Sequence, residues 1–304
     1  MNLFHINGYK MNENNNALIS IIIPTFNRKY DLIRAVNSVL SQSYTNWELI
    51  IVDNNSDDGT ENYIYSLNNP KIKCIIVNNN GLIAYSRNKG IEISNGEYIA
   101  FLDSDDWWHS EKLNYSLKYL AQGNDLVYHD LYVVKSIKHN LNYKSTNSKD
   151  ANTEVYEDLI NNGNFICNSS VVVRKSILNL IHKLPESKAL NSICDFQAWL
   201  AIAKVTNNFK KIHKVLGFYW IGGGNVTNPE RTISSLLEFK NLYFDSYEKI
   251  PNWYNYAIGR AYFLEKRYLN SKIYLSKLQF LDLNLKITLK ILYMNLYIIF
   301  SNEK

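Results

Sequence analysis

The chain has 304 residues, 46% hydrophobic and 20% charged, with a formal net charge of +5. That length can bury a large core, and the modest basic excess brings no recognition motif, which argues against a nucleic-acid binder. Cys74, Cys167 and Cys194 share no close spacing, so neither a zinc site nor a disulfide framework is indicated, a pattern that suits a reducing cytosol.

The first ten residues are polar and lack the apolar run of a signal peptide, and an Asn-rich stretch at 12–16 reads as the end of a disordered lead-in over 1–16. Leu18 to Pro24 is then nearly all apolar, as expected of a strand buried on both faces. Leu32, Val36, Val39 and Leu40 recur at helical spacing. Glu48 to Asp53 is a second buried strand that opens into Asn54-Asn55-Ser56-Asp57-Asp58-Gly59-Thr60. Lys71 to Val77 reads as a third strand, Ala84 to Ser94 as a helix and Glu97 to Asp103 as a fourth strand. Strand, loop and helix repeating in this way predict a doubly wound α/β sheet. In such sheets ligands sit beyond the carboxyl ends of the strands, where the polar clusters after Pro24, at Asp53 and at Asp103 all fall.

The fourth strand runs straight into Asp103-Ser104-Asp105-Asp106-Trp107-Trp108. In a strand, residues i and i+2 share a side, so Asp103 and Asp105 can present both carboxylates to one hard cation while Asp106 faces elsewhere. A divalent ion held by one or two carboxylates keeps positions open for substrate phosphates. An acidic turn capping a helix that starts near Glu111 is an equal reading from these residues alone.

Farther on, Lys138 to Thr153 reads as an exposed loop, and Phe165 to Arg174 as a strand interrupted at Asn168-Ser169-Ser170. Asp195 opens a helical run containing Trp199, and as a helix N-terminal carboxylate it would be favoured by the helix dipole. Gly217 to Thr227, with Gly222-Gly223-Gly224-Asn225 beside aromatic residues, suits either a mobile loop or a plain flexible connector.

Residues 251–304 hold eight Lys and Arg against three Asp and Glu, so their net +5 equals that of the whole chain. Tyr254 to Phe280 reads as a helical hairpin, with Ile258, Gly259, Tyr262 and Ser271 spaced as in one tetratricopeptide-like unit. In the last helix Leu285, Leu289, Leu292, Leu296 and Ile299 form an apolar stripe beside Lys286, Lys290, Tyr293 and Tyr297. Such a helix can lie in a membrane interface, or pack its stripe on the domain or on a second subunit. Its lysines and asparagines argue against spanning.

Four blocks, ISIIIPTFNR at 19–28, WELIIVDNNSDDGT at 47–60, GLIAYSRNKGI at 81–91 and GEYIAFLDSDDWW at 96–108, resemble the inverting glycosyltransferases of family 2, which have the GT-A fold. The resemblance implies a mostly parallel mixed sheet flanked by helices. It implies a nucleotide-sugar-binding half at 17–125, an acceptor half at 126–250 and a small helical module at 251–304. It places Pro24, Thr25, Phe26, Asp53, Asn54, Arg87, Asp103 and Ser104 at the donor, with Phe26 stacked on the base. Asn54 stands where the family usually has a second aspartate, which leaves the base open. Arg87 and Asn88 match an Arg-Asn pair that touches the nucleotide or braces the acidic loop.

By the same resemblance Asp105, with Asp103, holds Mn2+ or Mg2+, and Asp195 is the catalytic base. Cys194 replaces the glutamate that usually precedes that base. Asp106, Trp107, Trp199, Gly223 and Asn225 fall to the acceptor side and its loop. The implied activity is transfer of a hexose, glucose or galactose, from a UDP-sugar to an N-acetylhexosamine on a polyprenyl-diphosphate carrier in bacterial O-antigen assembly. The implied place is the cytoplasmic face of the inner membrane, with no nucleic-acid partner. A dTDP-deoxysugar donor is the alternative that Asn54 keeps open. A non-catalytic carbohydrate-binding or scaffold protein of the same fold is the alternative from another class.

Overall fold

Near-continuous apolar runs put side chains on both faces of a sheet, and helices must then cover both. In the computed structural model, which describes residues 16–136, 144–222, 228–245, 247, 249–279 and 285–301, this is the arrangement of the first half. The elements follow as β1 (Ile19–Thr25), α1 (Lys29–Leu40), β2 (Trp47–Asp53), α2 (Thr60–Ser66), β3 (Ile72–Ile76), α3 (Ile83–Ile93) and β4 (Tyr98–Phe101). Ile19, Ile21 and Ile23 of β1 share a core with Leu32, Val36 and Val39 of α1, whereas Ile22 lies in the opposite core beneath α3. Gly90 of α3 permits that approach, because a Cβ there would stand 2.6 Å from Ile22 Cγ2.

The second half adds β5 (Trp107–Trp108), α4 (Lys112–Leu120), β6 (Leu126–Val134), β7 (Lys144–Ser145), α5 (Val155–Asn162), β8 (Val172–Arg174), α6 (Lys175–Leu180), α7 (Cys194–Ala203) and β9 (Phe209–Trp220). Among the described residues the sheet has nine strands in the order β3-β2-β1-β4-β8-β6-β9-β5, with β7 on β6. Strands β1 to β4 are parallel, β8 runs antiparallel between β4 and β6, and β9 lies parallel to β6.

Three expectations change here. The strand expected over 165–174 shrinks to β8, because Asn168–Ser170 forms a 3-10 turn closed by Ser170 N on Cys167 O. Residues 138–143 of the expected loop lie outside the described residues, and the remainder is tied down: Lys144–Ser145 pairs with β6, and Asp130 Oδ1 accepts from Thr146 Oγ1 and from Ser148 N and Oγ. Gly217 to Trp220 lie within β9, and the glycine-rich remainder from Gly223 to Thr227, like the lead-in over 1–15, is outside the described residues.

The chain ends in α8 (Pro229–Tyr243), α9 (Asn252–Leu264), α10 (Tyr268–Leu275) and α11 (Leu285–Ser301). Helices α9 and α10 form the expected hairpin. Gly259 lets them close, since a Cβ there would meet Leu275 Cδ2 at 2.9 Å, and Ser271 Oγ donates to Gly259 O at 2.8 Å. The core is continuous across 250/251: Tyr254, Ile258 and Tyr262 belong to the cluster that holds Phe196 of α7 and Phe239 of α8. Helix α11 packs through Ile291 and Met294 on Leu275 and Leu278. The stripe of Leu285, Leu289, Leu292, Leu296 and Ile299 is therefore not the packed one, and each of these residues is about half exposed or more. No helix among the described residues is long and apolar enough to cross a membrane.

Candidate active site

Strand β4 stops at Phe101, and the chain turns, with Asp106 N donating to Asp103 O at 3.0 Å. The alternation expected of a continuing strand therefore does not apply, and a turn sets the three carboxylates. Nor does the turn cap the next helix, since α4 begins at Lys112 after Glu111, with no side-chain capping bond.

Asp103 Oδ1 accepts from Arg87 Nη2 and from Asn168 Nδ2, both at 2.8 Å. Asp105 Oδ2 accepts from Arg28 Nη1 at 2.9 Å, and its backbone oxygen from Arg34 Nη2 at 2.6 Å. Burial, then the charge of Asp103, pushes the Asp105 carboxyl up to about 6 against the pull of Arg28. Asp106 is buried, accepting from Ser169 Oγ at 2.5 Å and from Trp220 N at 2.9 Å, so it fastens the turn to β9 and to the 168–170 turn. Burial and its two acidic neighbours raise its carboxyl well above the usual range. Ser104 is buried between them.

At the carboxyl ends of the parallel strands, Phe26 follows Pro24 and Thr25 and is 52% exposed, whereas Thr25 is buried. Asp53 is buried and accepts from Ser56 N and Oγ. Asn54 Oδ1 accepts from Asn79 N at 2.8 Å, so the residue that departs from the family pattern ties β2 to the loop after β3. Arg87, on the buried face of α3, joins the two halves: Nη2 binds Asp103 and Nη1 donates to Cys194 Sγ at 3.3 Å. Cys194 thus takes up an arginine where the family has a glutamate. Asn88 braces the segment before α7 through Leu184 and Glu186.

Asp195 stands in the first turn of α7, its Oδ1 accepting from Phe196 N at 2.8 Å and its Oδ2 from Asn164 Nδ2 at 3.1 Å. Burial raises its carboxyl and Arg87 opposes the rise. A cavity of about 360 Å³ joins Asp195 to Asp103 and Asp106, walled by Asn147, Asn164, Asn168 and Tyr219. Two expected acceptor residues lie elsewhere. Trp199 is 1% exposed in the core, its indole donating to Ile166 O. Trp107 stacks on Phe218 at 4.9 Å with the Arg34 guanidinium 4.3 Å from its ring. Gly223 and Asn225 are outside the described residues.

Nothing in the sequence pattern singles out Asn147, Asn164, Tyr219, Arg28 or Arg34. The asparagines are masked by an Asn-rich composition, and the arginines act across more than seventy positions. Among the described residues no three His, Cys, Asp or Glu side chains gather as a metal cage. A cation here would rest on Asp105 and Asp103 and on oxygens the ligand brings. The two residues fit one, because the charge of Asp103 works with burial to raise the Asp105 carboxyl, and a cation would relieve it.

The model of Glycosyl transferase family 2 matches residues 20–181. A putative colanic acid biosynthesis glycosyl transferase of Escherichia coli K12 is 43% identical over 117 residues, 38% of this chain and 41% of its own length, so the match spans about two fifths of that relative. A UDP-Glc:alpha-D-GlcNAc-diphosphoundecaprenol beta-1,3-glucosyltransferase of Escherichia coli is 30% identical over 192 residues, 62% of this chain and 71% of its own. Among solved structures, S. aureus TarS 1-349 in complex with UDP-GlcNAc superposes with a TM-score of 0.56 at 17% identity, covering 86% of this chain and 81% of that one. That likeness bears on the fold, a GT-A-like mixed sheet flanked by helices with a helical C-terminal region.

Proposed function

The chain belongs to glycosyl transferase family 2, and on that premise we propose that it transfers a hexose, glucose or galactose, from a UDP-sugar to an N-acetylhexosamine on a polyprenyl-diphosphate carrier during assembly of a bacterial O-antigen or related surface polysaccharide. The observation that carries this reading is the cavity in which Asp103 of the nucleotide-sugar half meets Asp195 of the acceptor half. A carbohydrate-binding scaffold needs no second carboxylate there. The name of the E. coli glucosyltransferase supports the donor and the lipid-linked acceptor.

The reaction is a single displacement. Asp195, oriented by Asn164, takes the acceptor hydroxyl's proton as that oxygen attacks the anomeric carbon from the face opposite the diphosphate. The bond from that carbon to the diphosphate breaks and the nucleoside diphosphate leaves, so the anomeric configuration inverts. Arg87 keeps Asp103 in place and favours the ionised form of Asp195. Asp105 and Asp103 would hold the ion, and Mg2+ or Mn2+, when bound, offsets charge on the departing diphosphate.

The outward stripe of α11, with Lys290 and Tyr293 beside it and the net charge of the chain gathered in residues 251–304, supports docking on the cytoplasmic face of the inner membrane, where a polyprenyl-linked acceptor resides. The whole reading is tested by incubating purified protein with UDP-, GDP- and dTDP-sugars, with Mn2+, Mg2+ or chelator, and an N-acetylhexosamine diphosphate lipid. Cation-dependent transfer from one UDP-hexose supports it. Transfer from a dTDP-sugar alone overturns the donor, and no donor binding at all leaves the scaffold.

A further inference from the structure

Helix α1 reaches the acidic turn with Arg28 at its cap and Arg34 two three-residue steps along it, and Asp31 stands between and pairs with both. Arg34 is fixed: Nη2 donates to Asp105 O at 2.6 Å and to Asp31 Oδ1 at 2.9 Å, and its guanidinium lies 4.3 and 5.0 Å from the rings of Trp107 and Trp220. Arg28 is held differently. Its side chain is 25% exposed, Nη1 pairs with Asp105 Oδ2 at 2.9 Å, and a second carboxylate, Asp31 Oδ2, stands 3.9 Å from the same nitrogen. One guanidinium therefore has two carboxylates within a small rotation of its end.

Resting on the reading of Asp105 as a cation ligand, we infer that Arg28 is a resident competitor for that cation. It neutralises Asp105 until a divalent ion arrives, and Asp31 is the carboxylate it turns to when the ion takes Asp105. Asp105 is buried and its carboxylate needs positive charge nearby, which Arg28 supplies at 2.9 Å without a metal. The consequence is functional. A cation alone must displace Arg28 and binds weakly, whereas a donor diphosphate brings oxygens to the ion and a negative charge to the released guanidinium. Cation and donor then bind in each other's favour, and that favour is reciprocal. In this scheme Arg28 acts on the cation through Asp105 and, once released, on the donor diphosphate directly.

The test is Mn2+ binding to the full chain, read from the electron paramagnetic resonance signal of free Mn2+, first without nucleotide and then with UDP. Without nucleotide, R28A and R28Q should bind Mn2+ roughly fivefold more tightly than the parent, the scale of losing one exposed-to-half-buried ion pair. K29A, which removes a neighbouring cation whose backbone nitrogen is bound to Asp58, should stay close to the parent. D31N should weaken binding, and that effect should vanish in R28A/D31N, because Asp31 acts through Arg28. The gain in Mn2+ affinity on adding UDP should shrink in R28A. Circular dichroism checks that each variant is folded. Equal affinity in the parent, R28A and R28Q overturns the inference, as does a K29A gain matching that of R28A, which would reduce the effect to net charge. If the parent binds no Mn2+ even with UDP, the cation reading of Asp105 fails and the inference falls with it.

Discussion

Replacing Glu48 with Gln should destabilise the protein by ~3 kcal/mol at neutral pH, through one carboxylate at the amino end of β2. Its side chain is 10% exposed, and burial alone would raise its pKa. Hydrogen bonds overcome this: Lys73 Nζ on β3 at 2.8 Å, Ser20 Oγ on β1 at 2.7 Å, and Asn95 N and Nδ2 before β4 at 2.5 and 3.1 Å. They draw the carboxyl down from 4.5 to about 2. A lowered folded-state pKa stabilises above the unfolded value and is lost as pH falls through the folded one, here between 4.5 and about 2. Each pKa step is worth ~1.4 kcal/mol, which gives the figure of ~3. Urea unfolding of the parent and of Glu48→Gln at pH 7, repeated down to pH 3, reads it directly. The gap should be near its full size at pH 7 and about half by pH 3. A gap under ~0.5 kcal/mol at pH 7, the size of an ordinary surface change, or one that does not close on acidification, would refute the reasoning.

Asp195→Asn should lower kcat by roughly 10²- to 10⁴-fold with KM for the donor little changed, measured by initial rates on a folded variant. Because burial raises the Asp195 carboxyl and Arg87 opposes the rise, kcat/KM for the acceptor should fall as pH drops through a value above the ordinary 3.8. Arg87→Met should move that acid limb to higher pH, and an unmoved limb in a pH profile would remove Asp195 as the base. Glu at Leu289, Leu292 and Leu296 together should abolish flotation with anionic phospholipid vesicles while leaving the thermal unfolding midpoint within a few degrees. Unchanged flotation would move the membrane contact off α11.

The half of the fold from β1 to β4 was legible because buried parallel strands are written as apolar runs, as in Ile19 to Ile23, with turn residues between them. The second half was less so. Strand β6 carries His129 and Asp130 in its middle, and β8 has only three residues, so their identity comes from pairing across the sheet. In α11 both stripes are apolar, and periodicity alone could not say which turns inward; Leu275 and Leu278 select Ile291 and Met294. In the site, Asp103, Asp105, Arg87 and Asp195 could be read from their blocks, but how they join could not. The contact of Arg87 with Cys194 and that of Arg28 with Asp105 span 107 and 77 positions, and only the folded sheet makes them neighbours.

The anomeric configuration of the product tests the central claim most directly. Proton NMR of a lipid-linked acceptor after reaction with an α-configured UDP-hexose should show a new β-anomeric signal, growing in step with UDP release and slowed with Asp195→Asn as its kcat is. A product that keeps the α configuration would contradict a single displacement with Asp195 as its base.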